Sequence, residues 1–510
     1  MKNRNGTDLG RRRLLWGAAA GAGGVALAPI LYRLQAAKLR DQGSDLQRES
    51  PYGLPAPTPD RATGLPLLKL PPDFSYTSAG WSGDPMSDGY PTPDRHDGMG
   101  VIHTGPGGDI TLIRNHERGL IAPGKPMPFI GGPATPCYDN LVLPGRIAGS
   151  GGGTTALRFR EGELIDARAT LAGTLVNCSG GPTGFGSWLS CEEIVLRGSL
   201  IGARDHGYVF EVPAPEFGPA SARPIRDMGL MRHEATARDP ATGLIYLTED
   251  NGAHSGFYRF TPHDRAARIG ALEAGGRLAM LKVVGRDNAD LTEPEIGATF
   301  AVEWVSIPDP DADPERLEAP APGLPKIRGA GKSGPFLQGE ARGAAGFSRG
   351  EGCHYHQGVI YMVDTSGGAA GSAAVWAYQD EPAQGSDRGT LTAIFVAPDE
   401  ATADSPDTIA ISPRGGLLLC EDGSGRGDGN GVLGNRMLGL DATGRTFGFA
   451  ENNLVLDRAP PTRSWIAPGD YRRMEFTGAC FDPGGRWLFV NIQTPGITFA
   501  ITGPWERGTF

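Results

Sequence analysis

Short motifs that combine carboxylates with histidine or cysteine recur along this chain, and these residue types are suited to metal chemistry. The motifs are Asn115-His116-Glu117, Asn177-Cys178-Ser179, Cys191-Glu192-Glu193, Arg232-His233-Glu234, Arg349-Gly350-Glu351-Gly352-Cys353 and Cys420-Glu421-Asp422. Carboxylate oxygens are the ligands that hard cations such as calcium prefer, whereas a thiolate beside oxygen ligands suits iron. The motifs therefore predict a metal site rich in carboxylates.

Six segments of the chain share one pattern. Each is a β-rich run that ends in acidic or polar residues. Their ends are Glu117, Glu193, Asp250, Asp364, Asp422 and Gln493. If the six runs are equivalent inner strands of a radial repeat, their ends meet at one mouth of a central channel. Clustered carboxylates repel one another unless cations neutralise them, so we predict that Glu117, Glu192, Glu193 and Asp422 bind metal. The alternative is that these acids are solvated turn residues.

The spacing of these ends predicts the architecture that positions them. Consecutive ends lie 57 to 114 residues apart, whereas a compact four-stranded blade needs about 40–45 residues. Each interval accommodates one blade with loops, and the longest also accommodates an insertion, assigned to Pro308–Pro325. The 78 glycines indicate many tight turns. We predict an all-β fold over residues 66–510, a six-bladed β-propeller with loop insertions and a metal cluster at the channel mouth.

The N-terminus has the pattern of a targeting segment. Arg11-Arg12-Arg13 precedes a mildly apolar run, and Ala26-Leu27-Ala28 offers a cleavage site. Residues 1–30 are therefore predicted to be a Tat-type signal peptide, with an uncleaved anchor as the alternative. Residues 31–65 are predicted to be a linker or an N-terminal wrap. We expect the Tat export machinery as a partner, no stable membrane span after processing, and a periplasmic or secreted protein.

Charge and cysteine usage exclude some classes of function. The net charge of −10 argues against a nucleic-acid partner, which would need a basic surface. Six cysteines permit disulfides in an exported protein, but no C-x-x-C pair exists, which excludes a zinc ribbon. We expect a monomer that acts on a small molecule.

The ordered motifs together resemble the PhoX-type alkaline phosphatases. The resemblance runs from about residue 66 to the C-terminus, through NHE, GGGTT, NCxGGxTxxGxxLxCEE, RHEA, RGEG, SPDT and FTGACF. It implies a six-bladed propeller, a cluster of calcium (Ca2+) and iron (Fe3+) ions, and hydrolysis of phosphate monoesters. It also implies that Cys178 is a thiolate ligand to iron, that Glu193, Glu234 and Glu351 bind metal, and that Arg349 grips the substrate phosphate.

Some positions depart from the family pattern or allow another role. Ala156 stands where an asparagine is common in the family, and Gly350 stands where a proline is common. Cys178 could instead be an inert buried thiol, and Arg349 could be a structural counter-ion for Glu351. If the asparagine contacts phosphate in the family, one contact is missing here, which would indicate a side branch with altered substrate preference or lower activity.

Three functions remain open from the sequence. The first is an exported, metal-dependent phosphoric monoester hydrolase. The second is a calcium-dependent propeller hydrolase that acts on lactones or phosphotriesters and needs no iron. The third is a non-catalytic scaffold that binds structural calcium. The chain contains no G-x-S-x-G elbow, which weakens a serine-hydrolase interpretation.

Overall fold

The computed structural model describes residues 46–120, 130–139, 149–198, 203–314, 331–425 and 433–510. The predicted signal peptide lies outside these ranges, as do residues 31–45 of the predicted linker and residues 315–325 of the predicted insertion. In the part of the chain that the structure describes, no helix is long and apolar enough to cross a membrane.

The described chain is almost entirely strands and turns, as predicted. The first half contains β1 (Ala56–Thr58), β2 (Leu68–Leu70), β3 (Ser75–Ala79), β4 (His96–Thr104), β5 (Ile110–His116), β6 (Gly152–Arg160), β7 (Glu163–Thr174), β8 (Asn177–Pro182), β9 (Ser187–Glu192), β10 (Val209–Pro213), β11 (His233–Arg238), β12 (Ile245–Glu249), β13 (Phe257–Pro262) and β14 (Gly276–Val283).

The second half contains β15 (Thr299–Ile307), the helix α1 (Gly334–Glu340), β16 (Gly350–His356), β17 (Val359–Asp364), β18 (Ala374–Asp380), β19 (Arg388–Val396), β20 (Pro406–Ile411), β21 (Leu417–Glu421), β22 (Arg436–Leu440), β23 (Thr446–Asn452), β24 (Val455–Leu456), β25 (Gly469–Asp470), β26 (Phe476–Phe481), β27 (Leu488–Ile492) and β28 (Ile497–Thr502). Short 3-10 helices occur at Pro215–Phe217, Arg226–Met228, Ala271–Ala274 and Trp505–Arg507.

Antiparallel sheets stand around a common axis in a propeller-like arrangement. Four are blade-like, with the strand orders β4-β5-β6-β7, β10-β9-β8, β1-β2-β23-β22-β21-β20 and β26-β27-β28-β3. The last of these joins the two ends of the described chain, because β3 pairs with β28 in the register Tyr76 to Ile501. Such pairing closes the ring and removes an open sheet edge.

The prediction of six separate blades is wrong in its count. The remaining strands form one nine-stranded sheet, β11-β12-β13-β14-β15-β19-β18-β17-β16, which nearly closes on itself. The cause is β15, which pairs with β14 on one side and with β19 on the other. It lies in the long interval between Asp250 and Asp364, where the sequence predicted an insertion. An inserted strand thus joins two units that the spacing had suggested were separate.

The strands that line the axis are not the six β-rich runs from which the sequence repeat was recognised. The first strands β4, β8, β11, β16, β20 and β26 contact one another in that order and return to β4. The marked runs are the second strands β5, β9, β12, β17, β21 and β27. Because the sheets stack face to face, these second strands are buried along their whole length. That burial explains why they gave the clearer sequence pattern.

The inner strands carry small residues because they approach their neighbours closely. A Cβ atom on Gly181 of β8 would lie 1.9 Å from the carbonyl oxygen of Thr236 on β11. One on Gly352 of β16 would lie 2.7 Å from the carbonyl oxygen of Asp407 on β20. Both distances are far below van der Waals contact, so glycine at these positions allows the ring to close tightly.

Candidate metal centre

The start of the inner strands repeats one local geometry. In the first five inner strands, taken in chain order, the second residue is respectively Asp97, Cys178, Glu234, Glu351 and Asp407. In each of these strands the pairing register shifts at this residue, which marks a β-bulge. A bulge turns a side chain out of the regular ladder. The fold therefore directs four carboxylates and one thiol toward the mouth of the axis.

A second ring of residues follows the ends of the second strands. Its members are Glu117, Glu193, Asp250, Thr365, Asp422 and Gln493. Each donates its backbone N–H, at 2.8 to 3.3 Å, to the carbonyl of the residue that precedes an inner strand. Those carbonyls belong to Arg95, Val176, Arg232, Arg349, Ser405 and Glu475. Thr365 rather than Asp364 takes the equivalent place in the fourth unit, which corrects the sequence alignment of the repeat.

Three groups of side chains come close enough to share ions. They are Cys178 with Glu193 and Glu234, then Glu234 with Glu351 and Asp407, and finally Asp407 with Asp422 and Glu475. Within each group the candidate ligand atoms lie within 4.8 Å of one another. Glu234 and Asp407 each belong to two groups, so the three groups form one continuous series across the mouth.

The electrostatics of this series favour the neutral forms of its acids when no cation is present. Burial, together with Asp250 and Glu117, raises the pKa of Glu193 to about 8. Burial and the Asp422 carboxylate raise the pKa of Asp407 to about 7. The pKa of Glu234 rises well above its usual range because that carboxyl is fully buried beside Asp407. A bound cation would reverse each of these shifts.

The residues present fit the calcium and iron ions that the sequence predicts. The carboxylate of the buried Glu234 has no N–H or hydroxyl donor among the described residues and only the weak thiol donor of Cys178 beside it, and a buried charged group with so little compensation is costly. The group that contains Cys178 combines a thiol with two carboxylates, a donor set suited to iron. The two groups that share Asp407 offer only oxygen, which suits calcium.

A family model, alkaline phosphatase PhoX, matches residues 52–122 and 142–496 of the chain. The chain belongs to the PhoX family. A search of curated proteins found no match.

Solved structures that resemble this protein are distant from it. One is a gluconolactonase from Xanthomonas campestris, with 14% identity and a TM-score of 0.35 over 89% of this chain and 99% of that chain. A PQQ-bound aldose sugar dehydrogenase from Streptomyces coelicolor has 14% identity and a TM-score of 0.30 over 75% of this chain and 100% of that chain.

Most of the predicted ligands of this PhoX family member lie at the mouth. Cys178, Glu193, Glu234, Glu351 and Asp422 belong to the three groups. Glu117 lies beside them, where its Oε2 accepts a hydrogen bond of 2.9 Å from Gln493 Nε2. The same amide nitrogen donates to Asp97 and Glu475 at 3.1 and 2.5 Å. Gln493 thus holds three carboxylates together.

Glu192 is the predicted ligand that the fold does not bring to the mouth. It is the last residue of β9 and immediately precedes Glu193, and adjacent residues of extended chain point to opposite faces. Its carboxylate accepts the backbone N–H groups of Leu175 and Gly207, both at 2.8 Å, and lies 2.6 Å from His206 Nδ1. Glu192 therefore anchors the backbone behind Glu193.

Asp407 and Glu475 are candidate ligands that the sequence did not assign. Asp407 lies in the SPDT motif, which was recognised without giving the aspartate a role. Glu475 immediately precedes the FTGACF motif and occupies the ring position that Arg95, Arg232 and Arg349 hold in other units. Its place just before the FTGACF motif was the available signal.

Arg349 is already paired with carboxylates in the structure. Its Nη2 lies 3.0 Å from Asp250 Oδ2 and 2.7 Å from Glu351 Oε1. The residue also adopts a left-handed backbone conformation, with φ 58°, which is uncommon outside glycine. The counter-ion role considered from the sequence thus exists in this structure, and the guanidinium is fixed at the edge of the metal centre.

The histidines and asparagine of the motifs support the site from behind. Asn115 Nδ2 donates to the carbonyls of Cys178 and Ser179, at 3.1 and 2.7 Å, and so fixes the backbone of the thiol. His116 contacts the Asp94 carbonyl and Thr155 Oγ1, whereas His233 contacts the Gly229 carbonyl. Both histidines are buried, and they orient the glutamates that follow them.

Neither the remaining cysteines nor the two positions that depart from the family pattern belong to the three groups. All six cysteines are free thiols. Ala156 is buried with Ile113 and Trp188 in the core between neighbouring sheets, so a side chain there points into packed residues. Gly350 begins β16, where an added Cβ would lie 3.2 Å from the Glu249 carbonyl oxygen.

Proposed function

We propose that this chain is a metal-dependent phosphatase that hydrolyses phosphate monoesters with bound calcium and iron. The observation that carries the proposal is the continuous series of three ligand groups, which has a thiol at one end and Arg349 at its edge. Membership of the PhoX family supports the same chemistry. In the overall reaction water adds to phosphorus, the bond from phosphorus to the alcohol oxygen breaks, and that oxygen leaves with a proton.

The metal ligands and Arg349 would have different roles in this reaction. Bound ions would supply positive charge that neutralises the phosphate and lowers the barrier to attack by oxygen. Glu234 and Asp407, which each belong to two groups, would fix the spacing of the ions. Arg349 would orient a phosphate oxygen with its planar, always charged guanidinium, and its pairing with Asp250 and Glu351 would keep it in place.

One experiment distinguishes the proposal from the two alternatives. The protein is purified without chelators, its metals are quantified, and turnover of a chromogenic phosphate monoester is measured beside a lactone and a phosphotriester. Iron and calcium together with monoester turnover are the expected result. Calcium without iron, with turnover of the lactone or phosphotriester, would favour the second function. Calcium without any turnover would favour a scaffold.

We also propose export by the twin-arginine route to the periplasm or the outside of the cell. The supporting feature is Arg11-Arg12-Arg13 before a mild apolar run, in residues outside those that the structure describes. Replacement of the three arginines by lysine should leave precursor in the cytoplasm, as measured by fractionation. Normal export of that variant would contradict the route.

A further inference from the structure

Arg232 occupies the same structural position as Arg349, one unit away. Each residue immediately precedes an inner strand, β11 for Arg232 and β16 for Arg349. The carbonyl of Arg232 accepts the Asp250 N–H at 3.2 Å, and that of Arg349 accepts the Thr365 N–H at 3.0 Å. Because β11 and β16 contact each other, the two arginines are neighbours on the ring around the mouth.

The two guanidinium groups differ in their partners. Arg349 is paired with Asp250 and Glu351, as described above. The side chain of Arg232 makes no salt bridge or hydrogen bond to any other described residue, and its buried Nε has no hydrogen-bond partner. The residue is nevertheless partly buried. A partly buried guanidinium that forms no salt bridge keeps N–H donors available for an anion.

The location of this cation is next to the thiol end of the metal centre. The positive charge of Arg232 acts on the Glu193 carboxylate, although the two groups form no salt bridge. Glu193 belongs to the group with Cys178 and Glu234, and Glu234 lies two residues after Arg232 in the chain, as the second residue of β11. The free guanidinium therefore stands beside the first ligand group, whereas Arg349 stands beside Glu351 of the second.

We infer that Arg232 is a second phosphate-binding residue, which contacts the same phosphoryl group as Arg349 from the thiol end of the centre. This inference rests on the proposed phosphatase function. A guanidinium presents several N–H donors in one plane and can bind two phosphate oxygens at once. Because Arg232 forms no salt bridge with a described residue, whereas Arg349 is paired with Asp250 and Glu351, the N–H donors of Arg232 remain available for phosphate oxygens.

The test uses metal-loaded full-length protein and inorganic phosphate as the probe. Isothermal titration calorimetry should show phosphate binding about 10- to 100-fold weaker in Arg232→Gln, with metal content unchanged. Arg232→Lys keeps the partly buried charge but loses the planar fork, so its affinity should fall by about 10-fold or less. Arg223→Gln, an exposed arginine 3.8 Å from Glu273 on the outer surface, is the matched control and should bind phosphate like the wild type.

The outcomes separate this inference from the proposed function. Wild-type phosphate affinity in both Arg232 variants would overturn the inference, even if the enzyme hydrolyses monoesters. Loss of metal in Arg232→Gln would also overturn it, because Arg232 would then be a counter-ion of Glu193. Phosphate binding that depends on Arg232, in a protein that turns over no monoester, would support the inference and contradict the proposed function. If Arg232→Gln does not fold, the Arg232→Lys titration decides.

Discussion

The two ends of the propeller axis are lined by the same strands but have opposite chemistry. At the mouth, the second residues of the inner strands leave the regular ladder and place a thiol and several carboxylates within reach of one another. Farther along the same strands lies a cavity of about 220 Å³ lined mainly by small and apolar residues such as Met99, Ala235, Ile409 and Ala479. The bulges therefore decide which end of the axis can hold cations.

Glu234→Gln should have the largest effect, because it removes charge from a residue that two ligand groups share. We expect loss of metal from the whole series and a fall in kcat/KM on the order of 10³-fold. Metal analysis and steady-state kinetics measure both quantities. The control is Glu211→Gln. Glu211 is a buried glutamate on β10 that accepts a hydrogen bond from Ser187, and this variant should keep its metals. Full metal and activity in Glu234→Gln would place the functional site elsewhere.

Removal of the metals should lower the stability of the protein, more strongly at higher pH. The folded-state pKa values of Asp422, Asp407 and Glu193 are about 6, 7 and 8, above their unfolded values. In the metal-free protein these three carboxyls cost no stability below about pH 4, where they are protonated in both the folded and the unfolded state, and their cost grows as the pH rises from about 4 to 8.

Calcium binds the ionised carboxylates, so its stabilising effect should grow over the same pH range. At pH 8 we expect a difference of about 3–4 kcal/mol between saturated and chelated protein. Thermal unfolding at pH 5 and pH 8, with and without a chelator, measures this difference. Equal destabilisation at both pH values would argue against cation binding by these acids.

Arg349→Ala should have an intermediate effect on activity. Loss of one charge-assisted contact at the transition state costs about 2–4 kcal/mol, or roughly 10²–10³ in rate. Because Arg349 is not a ligand, its removal should leave the metals bound, and kinetics with parallel metal analysis test this. Loss of metal in this variant would instead mean that pairing with Glu351 and Asp250 is the main role of Arg349.

Ile409→Val should have the smallest effect, and it tests the far end of the axis. Ile409 is 4% exposed, and removal of one methylene group from a packed core costs about 0.5–1.5 kcal/mol. Chemical denaturation should detect this loss, while metal content and kcat/KM should match the wild type. A change in metal content would show that the two ends of the axis are coupled.

The sequence located much of this site through its motifs. Cys178, Glu193, Glu234 and Glu351 were assigned by resemblance to the PhoX family, and the fold brings them to one place. The pattern of clustered acids also included Glu192, because neighbouring acids look alike until the face of the strand is known. Asp407 and Glu475 were not assigned, since each is a single acid in a short polar stretch without a ligand pattern of its own.

The sequence by itself determined the all-β class, the family and the recurrence of polar strand ends, because burial and turn formation act on residues that are close in the chain. Only the tertiary structure decided that the marked runs are second strands, that β15 joins two units into one sheet, and that Arg232 and Arg349 stand side by side. Those facts depend on pairing between residues far apart in sequence, where register and bulges set which side chains meet.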